Sequence, residues 1–238
     1  MNRIVTEGRK AFTLIELLAV IAVVVILSSI VISALGSARQ AILRVETASN
    51  LRQVYSAVVL YTQDHGGRLP SAYQEASDLY DRTFSNWREA IAQAGYLGPA
   101  DIPSAVETNN SWTSDGFSVL GSPIQRENFS PAYALPTFGM NGMLGHAFGD
   151  NAAIQKRFQS LLEPSRTLFI AEGSTLGADH FNAALWPDAS SRPDYLLDGM
   201  ASAVYGDGHV GRLASGDFPV NSGEPHSDEW YFWIGAEM

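Results

Sequence analysis

The chain of 238 residues contains no cysteine. That absence excludes a disulfide framework, a thiolate nucleophile and any Cys-based zinc or iron–sulfur site. It leaves the compartment open, because a core of this size can be stable without cross-links. Basic residues are scarce as well: 15 Lys and Arg stand against 25 Asp and Glu, a formal net charge of −10. A phosphate backbone is neutralised by clustered cations, so no nucleic-acid partner is expected. A nucleophile elbow, a Walker loop, a dinucleotide fingerprint and a zinc-binding helix motif are all missing, and an enzyme is not expected. What is present reads as globular: 46% of residues are hydrophobic and 17% charged. The 21 glycines and 11 prolines predict a turn-rich second half.

The charge is unevenly placed. In residues 1–11, Arg3, Arg9 and Lys10 oppose only Glu7, the asymmetry of an export or membrane signal. Residues 12–32 then form an apolar run interrupted only by Thr13, Glu16, Ser28 and Ser29. At about 1.5 Å per residue, such a helix spans the roughly 30 Å of a bilayer core. A cleaved signal peptide is the alternative, with the small residues Ser33, Ala34, Gly36, Ser37 and Ala38 imitating a cleavage site; its apolar region is ordinarily only about 7–15 residues long.

Glu16 is the informative residue of the run. A carboxylate near the centre of a bilayer costs about 2.5–3.5 kcal/mol and needs a partner or a shallow position. If the chain is cut before Phe12, the new α-amine of a neighbouring copy is such a partner; hydration among the head groups is the other reading.

The stretch Gly8-Arg9-Lys10-Ala11-Phe12-Thr13-Leu14-Ile15-Glu16-Leu17-Leu18 resembles the processing site of type IV prepilins and type II secretion pseudopilins. The resemblance implies that a prepilin peptidase cuts between Ala11 and Phe12 and methylates the amine of Phe12. The acidic residue that the family carries five positions into the mature chain maps onto Glu16. Ala11 stands where the family usually has glycine, whose missing Cβ suits a tight site; the change is small.

Beyond residue 32 the pattern becomes amphipathic: Ile42, Val45, Ala48, Leu51, Tyr55, Val58 and Thr62 recur at spacings of three and four. One helix of about 80 Å is therefore expected over residues 12–64, with Gly36 allowing a bend and Gly66, Gly67 and Pro70 stopping it. His65 at its end suits a helix cap better than a metal site. A second helix is expected over residues 78–97, with Leu79, Phe84, Trp87, Ala90 and Ile91 as its apolar content, and a short strand near residues 117–120. Residues 167–171, TLFIA, read as a buried strand.

Residues 199–213, GMASAVYGDGHVGRL, read as two strands joined by Gly206-Asp207-Gly208, a dipeptide type that tolerates positive φ at both positions. Three blocks here resemble a prepilin-associated family named for a histidine, nine intervening residues and Asp-Gly. They are Tyr133 to Leu144 with its Tyr and Asn, Glu163 to Ser174 with its Pro-Ser-x-Thr strand ending in an acidic residue, and Gly199 to Leu213 with Asp207-Gly208 followed by His209. The family histidine is absent, because Leu197 occupies its position. Some pseudopilins hold calcium in their C-terminal loops, which makes Asp198 and Asp207, with Asp194 and His209 nearby, candidate ligands. The other reading is that Asp207 satisfies its own turn, and no cofactor is otherwise expected. The aromatic run at residues 228–234 reads as a strand closing the sheet or, alternatively, as an interaction patch.

These elements predict an α+β fold: a long N-terminal helix, membrane half and amphipathic half, packed on a C-terminal antiparallel sheet with extra short helices. The expected organisation is a leader at 1–11, a transmembrane part at 12–32, an amphipathic continuation at 33–65 and an exported globular domain at 66–238. The resemblance implies a structural subunit of a type II secretion pseudopilus or a type IV pilus-like filament. It would be single-pass in a bacterial inner membrane with its C-terminal domain on the extracytoplasmic side, and its partners would be prepilin peptidase and other pilin-like subunits. A membrane-anchored extracytoplasmic binding module and an exported enzyme released from a signal peptide are the competing classes.

Overall fold

The computed structural model describes residues 13–74, 87–97, 119–124, 138–144, 146–147, 157–173, 184–185, 187, 193, 195, 197–221 and 223–234. Ala11, Phe12, Leu79, Phe84, Tyr133 and Asp194 lie outside the described residues. The chain divides into two units between Ile42 and Leu43.

In the first unit, helix α1 (Leu14–Asp64) begins. Its apolar residues through Ile32 are exposed, Leu14 by 83% and Ile32 by 69%. By length and composition this stretch is apolar enough to cross a membrane. The Ser29 hydroxyl donates to the Ile26 carbonyl at 2.7 Å and that of Ser37 to Ala34 at 3.0 Å, which satisfies both groups without an outside partner.

The second unit begins within α1, where the expected apolar stripe holds only from Leu51 on: Val45, like Ile42 before it, is exposed, whereas Thr47 and Asn50 are buried. Leu51, Val54, Ala57 and Val58 are buried. Gly66 and Gly67 end the helix at φ +65° and +82°. The His65 ring stacks on Tyr61 with centroids 3.8 Å apart, its Nδ1 2.8 Å from the Tyr61 carbonyl, so the imidazole serves the helix end. Nearby, the Tyr96 hydroxyl donates to Asp64, and this bond is the first cause that pushes the phenol up to about 12.

Strand β1 (Tyr73–Gln74) and helix α2 (Trp87–Gln93) follow; Trp87, Ala90 and Ile91 are buried as the apolar content of the expected second helix. The strand expected near 117–120 is not formed in its described part. Val119 and Leu120 lie in a bend ahead of Gly121 and Pro123, and the Leu120 carbonyl takes the Phe138 N–H at 3.2 Å. The remaining strands are β2 (Phe138–Asn141), β3 (His146–Ala147), β4 (Leu168–Glu172), β5 (Ala184–Leu185), β6 (Met200–Tyr205) and β7 (Val210–Ala214). Five of them form one sheet in the order β5-β2-β4-β6-β7. Four are antiparallel neighbours, as expected; β5 adds a parallel edge beside β2. β1 and β3 pair separately, in parallel.

The sheet is covered on both faces. Leu51, Val54 and Val58 of α1 join Phe138, Met140, Phe169, Ile170 and Val204 in one apolar cluster. Leu168, Ala171, Ala203 and Leu213, on the other side of the pleat, join Phe218, Phe232 and Trp233 in a second. A bulge lies in β4: Leu168 faces Tyr205 and Ile170 faces Val204, so Phe169 is the extra residue.

The aromatic run is not the expected closing strand. It is helix α3 (Asp228–Trp233), with Trp230, Phe232 and Trp233 buried. Ser227 explains the difference: its Oγ accepts the Trp230 N–H at 3.2 Å, and Asp228 and Glu229 fill the first turn, where acids favour a helix start. The other end is capped from the sheet. Thr167 Oγ1 donates to the Tyr231 carbonyl at 2.8 Å, and Asn141 Nδ2 donates to the carbonyls of Trp233 and Leu168, each at 2.8 Å. Glu172, also buried, accepts the Ser202 N–H at 2.6 Å and the Ser122 hydroxyl. The polar residues of two blocks noted in the sequence thus hold layers together.

Candidate functional site

At the start of α1, Thr13 is the first residue outside the helix. Its N–H and its hydroxyl both donate to Glu16 Oε2, each at 2.9 Å, while Thr13 Oγ1 accepts the Glu16 N–H at 3.3 Å. This is a reciprocal capping box, Thr-x-x-Glu. The spacing was visible in the sequence as a helix-start signal, but the apolar run drew attention to the cost of the charge instead. One molecule therefore gives the carboxylate two donors of its own at Oε2. The site's other members, Ala11 and Phe12, lie outside the described residues.

The second unit carries the Asp-Gly motif. β6 and β7 form the expected hairpin, with Tyr205 N–H donating to His209 O at 3.0 Å and Gly208 N–H to Tyr205 O at 2.9 Å. Of the two motif residues only Gly208 is left-handed, at φ +86°; Asp207 is not. The loop is thus a three-residue turn closed by a left-handed glycine rather than a two-residue turn with both residues at positive φ. Asp207 Oδ1 accepts the His209 N–H at 3.0 Å and lies 2.6 Å from His209 Nδ1. Partial burial works against the charge of Asp207, but the His209 N–H and ring outweigh it and hold the carboxyl below its usual range. The His209 ring stacks on Tyr205 at 4.4 Å.

The turn is packed against α1. The Tyr55 hydroxyl donates to Gly206 O at 2.9 Å. A Cβ on Gly208 would stand 2.7 Å from the Tyr55 ring, and one on Gly206 would stand 2.9 Å from Leu161. Burial, then the charge of Asp207, raises the Tyr55 phenol. Gly208→Ala should accordingly cost at least about 1–2 kcal/mol for the left-handed backbone alone, with the ring contact added. Thermal unfolding should show a midpoint lowered by several degrees, and an unchanged midpoint would contradict this packing.

Asp198 sits in a second turn, one that its own Asp-Gly dipeptide signals. Asp198 and Gly199 both have positive φ, +55° and +67°, and Met200 N–H reaches Leu197 O at 3.1 Å, the geometry of a tight hairpin turn. The Asp198 carboxylate pairs with Arg44 and lies 3.6 Å from Arg212 Nη2. Arg212 also donates to the Leu197 carbonyl at 2.9 Å. At the position of the family histidine, it is the backbone that is used. The two calcium candidates thus have different neighbours, arginines at Asp198 and an imidazole at Asp207. Among the described residues no three His, Cys, Asp or Glu side chains cluster as a metal site.

Residues 8–32 match the family model described as the prokaryotic N-terminal methylation motif. The match spans the capping box, the basic end of the leader and the whole apolar run. No curated protein and no solved structure matches the chain. Over residues 8–32 the chain thus carries a prepilin-type methylation motif, and among the described residues one helix is long and apolar enough to fit single-pass membrane anchoring.

Proposed function

We propose that this prepilin-type precursor is processed between Ala11 and Phe12 and assembled, through α1, as a subunit of a type II secretion pseudopilus or a type IV pilus-like filament. The observation that carries the reading is that the methylation motif at residues 8–32 contains Glu16 in the first turn of an exposed apolar helix. The leader stays on the cytoplasmic side, where its basic residues favour it, and the domain after residue 42 lies on the extracytoplasmic face of the inner membrane. Apolar packing, small-residue contacts and interhelical hydrogen bonds bring helices together in lipid. The methylated Phe12 amine of one copy meets the Glu16 carboxylate of another and sets their axial offset.

Mass spectrometry of the N-terminus tests the reading. A mature chain beginning at N-methylated Phe12 is expected; a chain beginning beyond Ile32, or one retaining residues 1–11, would sink it.

A further inference from the structure

Two side chains of α1 grip the two turns that bound β6. Arg44 pairs with Asp198 in the turn before the strand, and the Tyr55 hydroxyl donates to Gly206 in the turn after it. Arg44 and Tyr55 are eleven residues apart, about 16–17 Å along a helix. Asp198 and Gly206, the residues they reach, are eight residues apart, about 26 Å of extended chain. The long side chains of Arg44 and Tyr55 cover the difference, and the order of the contacts means that α1 and β6 run in the same direction. Between the two grips the contact is apolar: Leu51, Val54 and Val58 share a cluster with Val204, Phe169 and Ile170. Apolar burial is non-directional and does not by itself choose between positions of one surface on another. Packed elements of this kind can shift past each other by one helical turn. Asn50 contributes a directional bond too, but to Gly121 in the 119–124 segment rather than to a strand.

We infer that the Arg44–Asp198 pair and the Tyr55–Gly206 bond together are a two-point register clamp between α1 and the sheet, with both Asp-Gly turns serving as its sockets. The turns are built for this. Asp198 holds a left-handed conformation that presents its carboxylate to Arg44, and Gly206 and Gly208 leave no Cβ where Leu161 and the Tyr55 ring stand.

The absence of cysteine makes the test direct. Spin labels on Gln53→Cys and Ser215→Cys, both at exposed positions, report the distance between α1 and the end of β7 in the full chain in detergent. The parent chain should give one narrow distance, and so should Tyr55→Phe alone. Removing both grips, as Arg44→Ala with Tyr55→Phe, should add a second population displaced by about 5 Å, one helical turn. Asp198→Asn with Tyr55→Phe attacks the same clamp from the sheet side while keeping a residue that tolerates the left-handed turn, and should give the same second population. An unchanged single distance in either folded double variant overturns the inference, because apolar packing would then set the register alone. Loss of amide protection in the sheet of the double variants overturns it as well, since the grips would then hold the fold and not its register. The N-terminus measurement above decides the assembly reading independently of this result.

Discussion

Replacing Glu16 by valine is expected to leave membrane insertion intact and to reduce incorporation into an assembly by at least about tenfold. Insertion should not suffer, because removing an ionisable group from an apolar segment takes away a cost of about 2.5–3.5 kcal/mol. Assembly should suffer, because a hydrogen bond to a charged group is worth about 1.5–3 kcal/mol, roughly 10- to 150-fold in an equilibrium. The capping box complicates the variant, since valine also strips Thr13 of its acceptor. Glu16→Gln separates the two effects: it retains an oxygen for the Thr13 N–H and hydroxyl and loses the charge. Thr13→Val does the converse. Membrane fractionation measures insertion, and sedimentation of sheared assemblies measures incorporation. If Glu16→Gln assembles like the parent while Thr13→Val does not, the helix cap is what matters and the pairing with a neighbour's amine is wrong.

The second large effect is expected in the exported domain. Asn141 is fully buried and makes three bonds, to the Leu168 and Trp233 carbonyls and from the Met143 N–H to its Oδ1 at 3.0 Å. Asn141→Leu matches the side chain's size but leaves three backbone groups without their partner. Each such group costs about 1–3 kcal/mol when it stays dry, and a domain's whole stability is about 5–15 kcal/mol. Denaturant unfolding should therefore show a loss of several kcal/mol, large enough to leave much of the protein unfolded at 37 °C. Aromatic near-UV circular dichroism should fall as well, because Trp233 depends on this cap. A loss under about 1 kcal/mol would mean that water reaches the carbonyls and that α3 is not held as described.

The parts of the fold that the sequence announced share one property: a single periodicity that nothing local contradicts. α1 has period 3.6 along its amphipathic half and no proline from residue 12 to 64, and TLFIA at 167–171 is too short and too β-branched for a helix. The hairpin at 199–213 was legible because glycine brackets Asp207. The aromatic run at 228–234 was misread for the opposite reason. Trp, Tyr, Phe and Trp in succession have no polar residue among them to show a period, so only Ser227 with the two acids after it revealed a helix. The Asp198-Gly199 turn is as strong a hairpin signal as Asp207-Gly208, but no alternating run precedes it to mark it as one. Contacts such as Arg44 with Asp198 or Tyr55 with Gly206 join residues more than 150 positions apart, and no spacing in a single sequence encodes them. Of the site itself, Glu16 was legible from its isolation in apolar surroundings, and Thr13 became meaningful only as its capping partner.

Phe169, the supernumerary residue of β4, has an effect beyond its own ring. Side chains on a strand alternate, yet Phe169 and Ile170 both join the α1-side cluster while Leu168 and Ala171 join the other, so the bulge takes up one residue and keeps the phase on either side of it. Deleting Phe169 would restore an unbroken ladder with β6 and would leave Leu168 opposite Tyr205 and Ile170 opposite Val204, on the faces they already occupy. The deletion would also remove the ring that meets Tyr55 edge-on at 5.5 Å. The more regular strand would thus offer α1 one side chain fewer, and the irregularity is what lets two consecutive residues of β4 face the same layer.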